Sequence, residues 1–190
     1  MLSGFSLFKE LIRQCDAYTG EHCDSVMNMS LRICDRLGGW SVRERERLKT
    51  MAELHDIGKI AVRKDILSKP GRLTDVEYEE MKRHAVYGSN FLKKFSRIYG
   101  IHYGALYHHE RWDGKGYPFG TTGTSIPIEA RIIGLADAYD AMSSDRCYRK
   151  RLSDEDIICE LKKGRGTQFD PKLVDILIDI LNEDSGNRAA

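Results

Sequence analysis

Residues 41–59 read SVRERERLKTMAELHDIGK. Ser41 and Glu44 have the spacing of a capping box, in which each side chain satisfies an amide donor at a helix start. Leu48, Ala52 and His55 then recur at intervals of four and three, which is one face of an α-helix. The spacing therefore predicts an amphipathic helix whose inner, C-terminal end carries a His-Asp pair just before Gly58.

The same reading extends in both directions. Upstream, Val26, Met29, Ile33 and Leu37 share a helical face, and Gly38-Gly39 supplies a C-terminal stop. Downstream, Thr74 and Glu77 form a second capping box. It is followed by an apolar stripe of Met81, Ala85, Gly88, Leu92 and Phe95, with His84 on the same side. A further helix is expected over residues 98–109, with Ile101, Ala105 and His109 inward and His108 turned about 100° from His109. Residues 110–127 change character: Gly114, Gly116, Gly120 and Gly123 with Pro118 and Pro127 mark a long loop. Pro127 opens another helix with Ile133, Ala136 and Asp137 on its inner side, while Ser153 with Asp156, and Asp170 before Pro171, begin the last two. No alternating strand pattern and no internal repeat interrupts this, so the expected fold class is all-α, a single helical bundle with one long Gly-rich loop.

At 190 residues the chain suits one domain. Its net charge of +1 gives no global field to favour nucleic acid or an anionic membrane. No apolar run is long enough to span a bilayer, and the N-terminus lacks the basic and cleavage regions of a signal peptide, so the expected compartment is cytoplasmic. Five cysteines, an odd number without a CxxC pair, argue against a disulfide framework and a thiolate zinc site. The expected boundaries are an N-terminal helix or linker over 1–18, the domain over 19–182, and a flexible tail over 183–190. Phe5, Phe8, Leu11 and Ile12 give the first segment an apolar stripe suited to packing on the domain or docking another chain.

Five of the six histidines fall in one ordered set: His22, His55-Asp56, His84 and His108-His109, closed by Asp137. A lone His-Asp pair is a weak motif, and His84 alone on an apolar face would read as a core histidine. Asp137 is more telling, because a carboxylate on an inward helical face requires a cation or donors to offset its desolvation. Taken together, imidazoles with a few carboxylates suit borderline first-row cations. A carboxylate beside a ligating histidine is placed to bridge two of them, the arrangement that drives in-line hydrolysis of phosphate esters.

With those residues go longer motifs: TGEH at 19–22, HDIGK at 55–59, MKRH at 81–84, HHERWDGKGYP at 108–118, LADAYDAM at 135–142, SDRCYR at 144–149 and QFDP at 168–171. In these the chain resembles the HD-GYP domain, a subclass of the HD phosphohydrolase superfamily, over roughly residues 16–182. The resemblance implies an HD-type helical bundle that hydrolyses cyclic di-GMP to linear pGpG, or on to GMP, through hydroxide activated by two metal ions. It implies that His22, His55, Asp56 and Asp137 hold one metal and that Asp56, His84, His108 and His109 hold the other, with Asp56 as bridge. Lys59 would join Asp56 in catalysis and, with Tyr117, Arg146 and Arg149, contact substrate. Glu110, Asp113, Gly116 and Pro118 would shape the loop.

In one respect the chain departs from the family. Members with three metals carry a glutamate four residues before the first histidine, and Tyr18 stands there instead. Two divalent ions are expected, iron first, then manganese, then zinc. The resemblance also allows a homodimer, an upstream sensor or receiver module, or a diguanylate cyclase as partner. Two other readings remain open: hydrolysis of another nucleotide, such as cyclic GMP-AMP or guanosine tetraphosphate, and a non-catalytic module binding cyclic di-GMP or a partner.

Overall fold

The computed structural model describes residues 10, 17–95, 99–145 and 150–189, with the backbone alone for 17–20 and 187–189. Among the described residues the architecture is helical, without a strand. Helix α1 spans Ala17–Leu37 and α2 spans Val42–Glu53. A 3-10 turn covers Ile57–Ala61, followed by the short α3, Lys64–Leu67, then α4, Asp75–Lys82, and α5, His84–Phe95. Helix α6 is His102–Tyr107, α7 Ile128–Ser143, α8 Asp154–Gly164 and α9 Pro171–Ala189.

Local chemistry accounts for most boundaries. Ser41 and Glu44 close a reciprocal capping box at α2, and Thr74 and Glu77 do the same at α4. Ser153 accepts from the Asp156 amide at the start of α8. Helix α1 stops at Gly38 and Gly39, whose φ angles of 72° and 81° lie where only glycine rests without strain. Helix α7 forms the middle of the bundle, touching α1, α2, α6, α8 and α9. Its Ile132, Ile133, Leu135 and Ala136 are buried, and each large apolar side chain withdrawn from water contributes about 1.5–3 kcal/mol.

Two close approaches set the geometry around the histidines. A Cβ on Gly134 of α7 would lie 2.4 Å from the His108 carbonyl oxygen. On Gly58 of the 3-10 turn it would lie 1.9 Å from the His84 carbonyl oxygen. Neither neighbour, being backbone, has a rotamer to move to, so glycine is what permits each contact.

The structure corrects several expectations of element extent. Helix α2 ends at Glu53, so His55 and Asp56 sit in the turn beyond it. The stripe expected to form one helix after Thr74 is broken at Arg83 into α4 and α5. The reason is local: the Met81 carbonyl accepts from the His84 ring, which competes with the helical ladder. The helix expected over 98–109 is a shorter α6 that begins after Gly100, with φ 75°. Residues 183–189, expected as a flexible tail, continue α9. Glu183 and Asp184 there pair with Arg36 and Arg32 of α1.

Candidate metal centre

Three of the histidines follow a helix end and use it in the same way. The last carbonyls of a helix lack amide partners. At α2 the Ala52 carbonyl lies 2.7 Å from His55 Nδ1. At α4 the Met81 carbonyl lies 2.7 Å from His84 Nδ1. At α6 the Gly104 and Ala105 carbonyls lie 2.9 and 3.0 Å from His108 Nδ1. A carbonyl can only accept, so each ring carries its proton on Nδ1 and presents the Nε2 lone pair. Helix termination thus fixes the tautomer and the aim of three side chains at once.

His22 is different, because it lies inside α1 and has no helix end to use. Its Nδ1 instead donates to Asp140 Oδ2 at 2.7 Å, while Nε2 faces Asp137 Oδ1 at 3.3 Å. Asp137 and Asp140 stand three residues apart on α7, so both reach the same side. Burial disfavours a charged His22, but the two carboxylates outweigh it and raise its pKa to about 9. Burial opposes the Asp137 charge too, yet its bond to His22 and the surrounding imidazoles hold it well below the usual carboxylate range.

Asp56 occupies the middle. Its Oδ2 lies 3.4 Å from His55 Nε2 and 3.8 Å from His22 Nε2. Its Oδ1 lies 3.4 Å from His84 Nε2 and 3.9 Å from His108 Nε2. One carboxylate therefore turns an oxygen to each of two histidine sets. Lys59, from the 3-10 turn, brings Nζ to 2.5 Å from Asp56 Oδ2. Burial would lower the lysine, and Asp56 more than reverses that. His84, His108 and His109 are all pushed down, chiefly by burial, with Lys59 adding to it at His84 and neighbouring imidazoles at His108 and His109, the last to about 3. They are neutral at physiological pH, the form that ligates metals.

The donors fit a pair of divalent cations. His22, His55 and Asp137 form one group whose ligand atoms lie within 4.8 Å of one another, and His84, His108 and His109 form a second. His55, Asp56 and His108 satisfy the same limit and join the two. Among the described residues His55 Nε2 is buried without a hydrogen-bond partner, a costly arrangement for a polar atom unless a cation takes its lone pair.

The centre opens into a cavity of about 900 Å³, lined among others by Lys59, Tyr78, Trp112, Tyr117 and Arg131. The ring of Tyr117 lies 4.7 Å from that of His109. The long loop is held by its own acids: Glu110 accepts from the Phe119 and Thr121 amides, and Asp113 from the Lys115 amide and Arg111. Gly116 lets the chain pass beside the His109 carbonyl, where a Cβ would approach to 2.5 Å. Pro118 follows Tyr117 in this loop. The loop is also tied to residues 167–168, through the Trp112 and Asp113 amides to the Gln168 and Thr167 carbonyls.

The structure thus gathers His22, His55, Asp56, Lys59, His84, His108, His109, Asp137 and Tyr117 around one cavity or its floor. Arg146 and Arg149 lie outside the described residues, as does the Tyr18 side chain. His102, the histidine left over, packs on Tyr103 with ring centroids 4.4 Å apart. Sequence reasoning missed Asp140, although its place one helical turn beyond Asp137 was an available signal.

In this all-helical domain the histidines and aspartates converge beneath a glycine-rich loop, a set of donors suited to metal ions. A family model described as HD domain matches residues 6–173, and the chain belongs to that family. HD-domain phosphohydrolases are metal-dependent. The chain is 38% identical over 177 residues to "3'3'-cGAMP-specific phosphodiesterase 2" of Vibrio cholerae, covering 90% of this chain and 33% of that protein. It is 39% identical over 166 residues to the "Cyclic di-GMP phosphodiesterase response regulator RpfG" of Xanthomonas campestris pv. campestris, covering 86% and 43%. The chain therefore spans less than half the length of these curated relatives. Among solved structures, the HD domain of phosphodiesterase PgpH from L. monocytogenes, in complex with cyclic-di-AMP, superposes with a TM-score of 0.69. That match is 17% identical and covers 95% of this chain and 96% of the other, a likeness of fold. Among the described residues no helix is long and apolar enough to cross a membrane.

Proposed function

We propose that this domain is a cyclic di-GMP phosphodiesterase that uses two divalent cations, iron by preference and manganese as an alternative, to open one phosphodiester bond and release linear pGpG. The observation that carries the reading is Asp56, which turns Oδ2 toward His22 and His55 and Oδ1 toward His84 and His108. His22, His55, Asp56 and Asp137 would hold one ion, and Asp56, His84, His108 and His109 the other. When bound, such a pair neutralises phosphate charge and supplies a nucleophile from water at neutral pH.

The remaining roles belong to the chain itself. Water contributes an oxygen to phosphorus as the bond to the ribose 3′-oxygen breaks, and that oxygen leaves with a proton. Lys59, beside Asp56, offsets the negative charge that gathers at the phosphate during this exchange. Tyr117 and Trp112 give the cavity flat walls for the bases. A volume of about 900 Å³ lies within the range of small-ligand sites. Arg146 and Arg149 are assigned to substrate phosphate or guanine edges by the resemblance alone. A second reading, cyclic GMP-AMP as substrate, is favoured by the 38% identity to a relative bearing that specificity in its name.

The test is hydrolysis of cyclic di-GMP, cyclic GMP-AMP and cyclic di-AMP by protein purified without oxygen and loaded with iron or manganese. Products are separated by chromatography and metal content is measured on the same sample. The expected result is pGpG from cyclic di-GMP at near two metals per chain, with loss of about 10²–10³ in rate for Lys59→Met. No turnover of any of the three at full metal loading would overturn the reading.

A further inference from the structure

Four histidines of the centre have a known partner for the nitrogen that faces away from it, and one partner is unlike the others. His55, His84 and His108 give Nδ1–H to neutral backbone carbonyls at helix ends. His22 gives it to a carboxylate, Asp140 Oδ2, at 2.7 Å. Asp140 is itself only 5% exposed. It is steadied from within α7 and its C-terminal cap, its Oδ1 lying 3.3 Å from Ser144 Oγ. A charge-assisted bond is about twice as strong as a neutral one, and a carboxylate behind a ligating imidazole both locks its orientation and makes the lone pair more basic.

The two donor groups also differ in charge. One contains His22, His55 and Asp137, and the other His84, His108 and His109. Setting aside Asp56, which faces both, the first has one carboxylate in the group and a second, Asp140, behind its histidine. The second group is made of imidazoles alone.

We propose that Asp140 is a positioning residue that makes the His22–His55–Asp137 position the tighter of the two, so that the metals enter and leave in a fixed order. The inference rests on the two-metal reading above. The three-histidine position fills last and empties first, and it governs how much of the protein is fully loaded when metal is scarce. Asp140 acts through His22, whose Nδ1 it holds.

The test is titration of the whole chain with Mn²⁺ alone, under exclusion of oxygen, with free ion quantified by electron paramagnetic resonance. The wild type is expected to show two classes of site. His109→Gln removes a ligand from the second group only, and identifies the surviving class as the first. Asp140→Asn in either background is expected to weaken that class about 10- to 100-fold, with the other class changed less than about threefold. Equal weakening of both classes, or of neither, overturns the proposal. If Asp140→Asn fails to give a cooperative melt, Asp140→Glu, which keeps the charge but moves it by one methylene, carries the same comparison: weakening confined to the first class supports the proposal, and any other pattern overturns it. A wild-type chain that takes up no Mn²⁺ overturns the two-metal reading itself, a result distinguishable from the failure of Asp140 alone.

Discussion

Replacing Gly58 by alanine probes whether the centre depends on how closely the 3-10 turn approaches α5. The added Cβ would lie 1.9 Å from the His84 carbonyl oxygen and 2.5 Å from the Gly88 amide nitrogen. Real Cβ atoms essentially never come nearer than 3.0 Å, and both obstacles are backbone, so the two elements must part by about 1 Å. Overpacking of this kind costs about 1–3 kcal/mol or more. The functional cost is larger, because the turn carries Lys59 and follows directly on Asp56, while His84 begins α5. Parting them disturbs the 3.4 Å approach of His84 Nε2 to Asp56 Oδ1, and a displacement of about 1 Å in a reacting constellation costs on the order of 10² in rate. The assay combines urea unfolding, metal content and hydrolysis. Gly71→Ala serves as the control, because nothing lies within 4 Å of its Cβ, and it is expected to stay within about 0.5 kcal/mol of wild type. A Gly58→Ala chain with the wild-type urea midpoint and full metal content would refute the reasoning.

Three further perturbations have definite expectations. Asp56→Ala removes the carboxylate that faces both histidine sets and should abolish both metal occupancy and hydrolysis; full occupancy of either position, measured by elemental analysis, would contradict a bridging role. Glu110→Ala leaves the Phe119 and Thr121 amides without their acceptor, at about 1–3 kcal/mol for each group left unpaired. The loop should loosen, raising KM more than it lowers kcat, and an unchanged KM would count against the loop as a wall of the site. Arg131→Ala strands buried Asp170, which Arg131 holds at 2.5 Å, and breaking such a pair costs about 3–5 kcal/mol. Urea unfolding reads this directly, and a loss below about 1 kcal/mol would mean that Asp170 finds another partner.

The fold was legible where a local rule acts alone. Both capping boxes and the Gly38-Gly39 stop follow from neighbours within four residues, and periodicity identified Val26, Met29, Ile33 and Leu48 as core. The centre was legible because its ligand types are few and ordered along the chain, although their roles came from family resemblance. What escaped was one local competition and two contacts distant in sequence. The break at Arg83 depends on a histidine side chain competing with the backbone for the Met81 carbonyl. The close pass of the turn against α5 depends on Gly58 meeting an element 26 residues away in sequence, and no periodicity records that. Asp140 was overlooked because its partner, His22, is 118 residues distant, and one aspartate on α7 already explained that helix face.

Those omissions share a physical basis, and it bears on why the site sits where it does. A helix interior satisfies its own carbonyls and leaves none to orient a side chain, whereas a helix end leaves several. Placing His55, His84 and His108 just past three different ends puts each imidazole under backbone control, at a point where the chain also turns inward. His22 lies outside that scheme, inside α1, and only a side chain from another element can orient it. The supporting group therefore had to be an acceptor on α7, and the physics of a buried site favours one that is itself steadied, as Asp140 is by Ser144. The consequence is an asymmetric centre: of the four histidines whose Nδ1 partner is described, three are set by where helices stop, and His22 by how two helices pack. Mutations that shift α1 against α7 should accordingly be read first at His22, before any change at His84 or His108.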